Sequence, residues 1–136
     1  MKYRKLIGYK YQIVEPFSIR LGGGFDNIVA FAGNNFISLW EGKLSLSKGY
    51  AWDGPSGPTF DTANFMTGSL VHDALYQLMK EGLLDLSFRI HADRELRRIC
   101  LEAGMSRLRA WYVYQAVRIF GGAGMKKKKT AEVIEV

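Results

Sequence analysis

Residues 50–80 read YAWDGPSGPTFDTANFMTGSLVHDALYQLMK, and inside this stretch the chain changes its period. Gly54, Pro55, Gly57 and Pro58 fall within five residues, too dense for any regular element, so a loop is predicted there. Beyond it, apolar residues form two adjacent rows at four-residue spacing, Met66-Leu70-Ala74-Leu78 and Val71-Leu75-Met79, which is the repeat of a helix with an inward face. Asp61 or Thr62 can cap that helix, and Gly82 is placed to end it just after Lys80.

Upstream of the loop, in the stretches 6–21 and 28–50, the period is two. Tyr9-Lys10-Tyr11-Gln12-Ile13, Ile37-Ser38-Leu39 and Lys43-Leu44-Ser45-Leu46-Ser47 alternate apolar and polar residues, as strands with one buried face do. Gly22-Gly23-Gly24, Gly33-Asn34-Asn35 and Glu41-Gly42-Lys43 supply the residues that accept positive φ in tight antiparallel connections. An antiparallel sheet of about three to five strands is expected.

Downstream, a second helix is expected from Asp85 or Ser87 to Ala103, with Phe88, Ile90, Leu96, Ile99 and Cys100 inward and Gly104 closing it. Ser106 can cap a third, which places Leu108, Trp111, Tyr112, Val117 and Phe120 at helical spacings until Gly121-Gly122 stops it. Trp111, Tyr112 and Tyr114 suit either an aromatic platform for a ligand or core packing, and packing is the ordinary explanation. Strands first and helices afterwards define an α+β fold: an N-terminal antiparallel β-sheet, a loop, then three C-terminal α-helices. Residues 1–122 are expected to form one α+β domain, and 123–136, with Lys126-Lys127-Lys128-Lys129, a basic, flexible tail.

A single domain suits 136 residues that are 48% hydrophobic and 24% charged, enough to bury a core. Cys100 stands alone, which excludes an intramolecular disulfide and a cysteine-based zinc site. No apolar segment follows the basic start as in a signal peptide, and none reaches the length of a membrane span. The net charge of +6 would attract an anionic bilayer surface or, less favoured here, a nucleic acid. Arg94, Arg97, Arg98, Arg107, Arg109 and Arg118 suit a phosphate-binding face, although solvated helix arginines read the same way.

The chemistry gathers at His72-Asp73-Ala74-Leu75-Tyr76. Residues four apart share a helix face, so His72 and Tyr76 stack, while Asp73 is turned about 100° away. Asp93 falls on the inward stripe of the next helix, where a carboxylate is costly without donors. Were the two helices antiparallel, His72 and Tyr76 would supply them, leaving the second ring nitrogen of His72 to accept a proton. Asp73 then reads as an exposed helix carboxylate or, with loop carbonyls, as part of an all-oxygen site of the kind calcium takes. Asp53 reads as a ligand or as an Asp-Gly turn residue.

His-Asp-x-x-Tyr on one helix, an Asp on the next and a glycine-bearing loop before them resemble the active site of secreted and parvoviral phospholipases A2. The resemblance implies a calcium-dependent hydrolase of glycerophospholipid esters with a phospholipase A2-like helix pair. His72 would activate water, Tyr76 and Asp93 would orient it, and Asp73 would bind calcium with carbonyls from Trp52, Gly54 and Gly57. The 21-residue interval from His72 to Asp93 and the string His91-Ala92-Asp93-Arg94 are similar to the viral, disulfide-free form. The flanking cysteines of the secreted enzymes are absent, and Pro55 and Pro58 stand in a loop that is usually richer in glycine.

A second resemblance covers residues 21–121. The β-rich start, the Trp-Asp-Gly-Pro-Ser loop, His-Asp-x-Leu-Tyr and the later Ala-Asp are similar to a family of small proteins encoded by tailed phages and prophages. It implies a phage origin, with the host cytoplasm or the virion as the location. Two functions are therefore carried forward: a phospholipase A2-like hydrolase working at a membrane phospholipid surface, and a non-enzymatic structural or accessory protein assembled with other phage proteins, in which His72, Tyr76 and Asp93 form a buried network.

Overall fold

The computed structural model of the protein describes residues 1–5, 11–31, 36–52 and 63–132, with side chains to residue 122. The described strands are β1 (Tyr3–Lys5), β2 (Tyr11–Ile13), β3 (Phe17–Arg20), β4 (Val29–Phe31), β5 (Ile37–Trp40), β6 (Lys43–Leu46) and β7 (Ala51–Trp52). They form two antiparallel sheets, ordered β1-β2-β7 and β3-β6-β5-β4, where a single sheet was expected. Pro16 lies between β2 and β3. With no N–H to donate and φ fixed near −65°, it ends one ladder and lets the chain start another.

The β5–β6 hairpin shows how local sequence sets the larger sheet. Trp40 pairs with Lys43, and the two residues between them, Glu41 and Gly42, have φ of 43° and 86°. Two left-handed residues in a two-residue loop make the turn whose twist matches paired strands. The register then pairs Leu39 with Leu44 and Ile37 with Leu46, all four buried. By contrast, Gly23–Phe25 form a short 3₁₀ turn that buries Phe25. A Cβ on Gly24 would lie 2.6 Å from His91 Nδ1, so that glycine serves a close approach to the helices and not a hairpin. The Gly33-Asn34-Asn35 turn lies outside the described residues.

The helices are α1 (Ala63–Lys80), α2 (Arg89–Glu102), preceded by a 3₁₀ turn at Leu86–Phe88, and α3 (Arg107–Glu132). The caps expected from Asp61 or Thr62 lie outside the described residues. Gly82 has φ 76°, its N–H donates to Met79, and Leu83 N–H reaches Leu78, which satisfies the last carbonyls of α1. Gly104, at φ 100°, ends α2 in the same way through bonds to Leu101 and from Met105 to Cys100. Asp85 accepts from Ser87 N–H at 2.9 Å before α2, and Ser106 from Arg109 N–H at 3.2 Å at the start of α3.

The core lies between the inner sheet faces and α1, whose rows Met66-Leu70-Ala74-Leu78 and Val71-Leu75-Met79 are all buried. Each buried Leu, Val or Met among them contributes about 1.5–3 kcal/mol. A smaller cluster joins Phe65 to Leu96, Cys100, Met105, Ala110 and Val113 among the helices. Two expectations for the third helix are corrected. It runs on through Gly121-Gly122 to Glu132, because glycine costs a helix about 1 kcal/mol but does not stop it. Leu108, Trp111, Tyr112 and Phe120 are exposed, since α3 packs inward through Ala110 and Val113 instead.

Candidate active site

The site begins with a close crossing of α1 and α2. A Cβ on Gly68 would lie 2.8 Å from Cys100 Sγ and 3.0 Å from Leu96 Cδ1, so only glycine lets the helices approach there. His72 and Tyr76 follow at four-residue steps on the same face, and their rings stack with centroids 4.1 Å apart. Both therefore point at α2, where Asp93 is completely buried.

Asp93 holds the group together. Its Oδ1 lies 2.7 Å from His72 Nε2 and accepts from the Tyr76 hydroxyl at 2.6 Å. Its Oδ2 accepts from Arg118 of α3 at 2.8 Å. Burial alone would raise the carboxyl, but hydrogen bonds from His72 and Tyr76, the nearby His72 charge and the Arg118 bond hold it below the usual carboxylate range. An ionised Asp93 has no proton to give, so His72 Nε2 is the donor and Nδ1 carries the lone pair when the ring is neutral. Burial, then the bond to Asp93, pushes the Tyr76 phenol well above its ordinary value and keeps it a donor.

Contacts from Arg89 tie α3 to this group. Arg89 Nε donates to the Tyr76 hydroxyl at 3.2 Å, and its Nη2 donates to the Val117 carbonyl at 3.3 Å and to that of Arg118. A Cβ on Gly121 would lie 2.6 Å from the Tyr76 hydroxyl, and one on Gly122 3.3 Å from Arg89 Nη1. The glycine pair thus lets α3 pass against the site. Arg89 was not a candidate from sequence, and Arg118 was read only as part of a basic face. The signal for Arg118 was the unfilled second oxygen of Asp93, which required a donor without saying which one; for Arg89, which bonds Tyr76 and not Asp93, the sequence carried no such signal.

Asp73 stands beside this group, its Oδ1 4.0 Å from His72 Nδ1 and its side chain 34% exposed. It is a hard oxygen donor of the type calcium accepts, so it fits one position of the expected ion. Among the described residues no three His, Cys, Asp or Glu side chains gather as a metal site. Gly54, Gly57 and Asp53 lie outside the described residues. Trp52 ends β7, with its indole buried and donating to Ser69 Oγ at 3.1 Å, so only its backbone carbonyl could serve an ion. Among the described residues no helix is long and apolar enough to cross a membrane. No family model matches the chain, and no curated protein or solved structure does either.

Proposed function

We propose that this chain is a calcium-dependent hydrolase of the phospholipase A2 type, of phage origin, that cleaves ester bonds of glycerophospholipids. The orientation of His72 carries the reading. Nε2 is committed to a buried carboxylate, and Nδ1 lies on the side of Asp73 at 4.0 Å, a gap that a hydrogen-bonded water can bridge.

In the reaction His72 Nδ1 takes a proton from water as the water oxygen bonds to the ester carbonyl carbon. Asp93 holds the resulting imidazolium, with Tyr76 and Arg118 fixing the carboxylate behind it. His72 then returns the proton to the glycerol oxygen as its bond to the acyl carbon breaks, and fatty acid and lysophospholipid leave. Asp73 would hold calcium with the carbonyls expected at Trp52, Gly54 and Gly57. Bound there, calcium supplies Lewis-acid polarisation of the ester carbonyl.

Fatty-acid release from phosphatidylglycerol vesicles is then expected to require calcium and to stop in EDTA. His72→Ala should lower it about 10²–10⁴-fold, the usual share of a general base, with far-UV circular dichroism retained. Asp73→Asn should remove the calcium response. No release by the intact protein across headgroups and calcium concentrations would overturn the reading.

The saturation of Asp93 supports a second reading from another class. Its three donors come from three side chains on two helices, an arrangement that would equally stiffen the helical half of a non-enzymatic virion- or tail-associated protein. That reading expects co-sedimentation with virions or tail assemblies and no ester cleavage.

A further inference from the structure

The outward side of α3 has no role in the chemistry above. Leu108, Trp111, Tyr112, Gln115 and Ile119 follow one another at steps of 3, 4, 7 and 11 from the first, which places them on one face. Leu108 is 76% exposed, Ile119 68% and Trp111 51%. The opposite side of the helix is already used, since Ala110 and Val113 are buried against α1 and α2.

We propose that this face of α3 docks on an anionic phospholipid surface. Aliphatic side chains beside Trp and Tyr, on a helix with basic flanks, are the composition of a helix lying in a bilayer interface. The charge agrees. Arg107 and Arg109 border Leu108, Lys126-Lys127-Lys128-Lys129 follow in the same helix, and no Asp or Glu occurs between positions 105 and 131. A second copy of the chain would bring these like charges together, whereas an anionic headgroup layer neutralises them. A phosphate backbone alone would leave Leu108 and Ile119 without an apolar partner.

The face also borders the candidate site. Arg118 is seven residues after Trp111, on nearly the same side of α3, and it reaches Asp93 from there. As the surface that presents substrate to His72, the face rests on the hydrolase reading; as a lipid-binding face it is tested separately.

The test uses the full chain in EDTA, so that no calcium-dependent cleavage occurs. It is expected to sediment with vesicles of phosphatidylcholine and phosphatidylglycerol, much less with phosphatidylcholine alone, and to be released by salt. Trp111→Ser with Ile119→Ser, which keeps the buried side of α3, should weaken binding about tenfold or more with circular dichroism unchanged. Failure to sediment with the anionic vesicles, or equal binding by the double variant, overturns the proposal. So does a stable dimer in solution that the double variant dissolves, which would put a second copy on the face. Cleavage of a water-soluble short-chain phospholipid, measured apart from vesicles, distinguishes the two readings: binding without cleavage sinks only the hydrolase, and cleavage without binding sinks only the lipid face.

Discussion

Tyr76 and Tyr112 are both helical tyrosines, yet the first is 7% exposed and donates to a carboxylate on the next helix, while the second stands 49% exposed on the outer side of α3. The same contrast separates Arg118, bound to Asp93, from the exposed Arg107 eleven residues earlier in that helix. Between α1, α2 and α3 each polar group is committed to another, so one carboxylate dictates the placement of a histidine, a tyrosine and an arginine. On the outer side of α3, by contrast, Leu108, Trp111, Tyr112 and Ile119 stand exposed. Interior polarity here is a matter of mutual fixation, whereas the apolar side chains on the outer side of α3 are left in solvent.

Breaking the interior should show the largest effect. Asp93→Ala leaves three buried or half-buried donors without their acceptor and is expected to cost about 3–5 kcal/mol in urea unfolding. A loss below about 1 kcal/mol, the range of a surface ion pair, would erase the contrast with the outer face. Gly121→Ala should follow. An added Cβ 2.6 Å from a Tyr76 hydroxyl that Asp93 already holds forces a shift costing about 1–3 kcal/mol, only partly offset by the better helix propensity of alanine. Gly122→Ala brings its Cβ to 3.3 Å from Arg89 Nη1, a milder contact, so it is expected to cost less than Gly121→Ala in the same experiment.

Titration separates the regions more finely. Asp93 is held below its unfolded value of about 3.9, so its contribution is fully present above that pH and is lost as pH falls through the lower folded value. Thermal unfolding should show an acid limb below about pH 4 that flattens in Asp93→Asn. On the alkaline side the signs reverse. Burial pushes the Cys100 thiol from 9.0 up to about 12, and Tyr76 is raised as well, so their contributions are present at neutral pH and are lost as pH rises past the unfolded values. Cys100→Ala should shallow the decline that begins above about pH 9, measured as melting temperature against pH. Smallest of all, Trp111→Ser and Ile119→Ser should each leave unfolding stability within about 0.5 kcal/mol of the parent. A larger loss would mean that α3's outer face is part of the core after all.

How far these two regions could be read beforehand follows from their patterning. In α1 both apolar rows face the interior and His72 shares a face with Tyr76; once the turn at Gly82 is taken to set α1 and α2 antiparallel, the pairing of Asp93 with His72 and Tyr76 is legible. The glycine caps at Gly82 and Gly104 were legible for the same local reason, their left-handed φ. In α3 apolar residues occupy both faces. Periodicity gives a direction only when the opposite side is polar, so Leu108, Trp111 and Tyr112 read as core when Ala110 and Val113 fill that role. Gly121-Gly122 read as a stop because their use, passage against Tyr76 and Arg89, depends on a partner distant in sequence. Arg118 was hidden likewise, 25 residues from the carboxylate it completes. The division into two sheets turned on Pro16, a single residue between strands of similar pattern.

Fatty-acid release from phosphatidylglycerol vesicles, measured with calcium and with EDTA for the intact chain and for His72→Ala, tests most directly whether the group around Asp93 orients a base. The account predicts calcium-dependent release that is nearly lost in a His72→Ala protein still folded by circular dichroism. Release at the parent rate in that variant, or none from the intact chain, would contradict it and leave the buried network a purely structural tie.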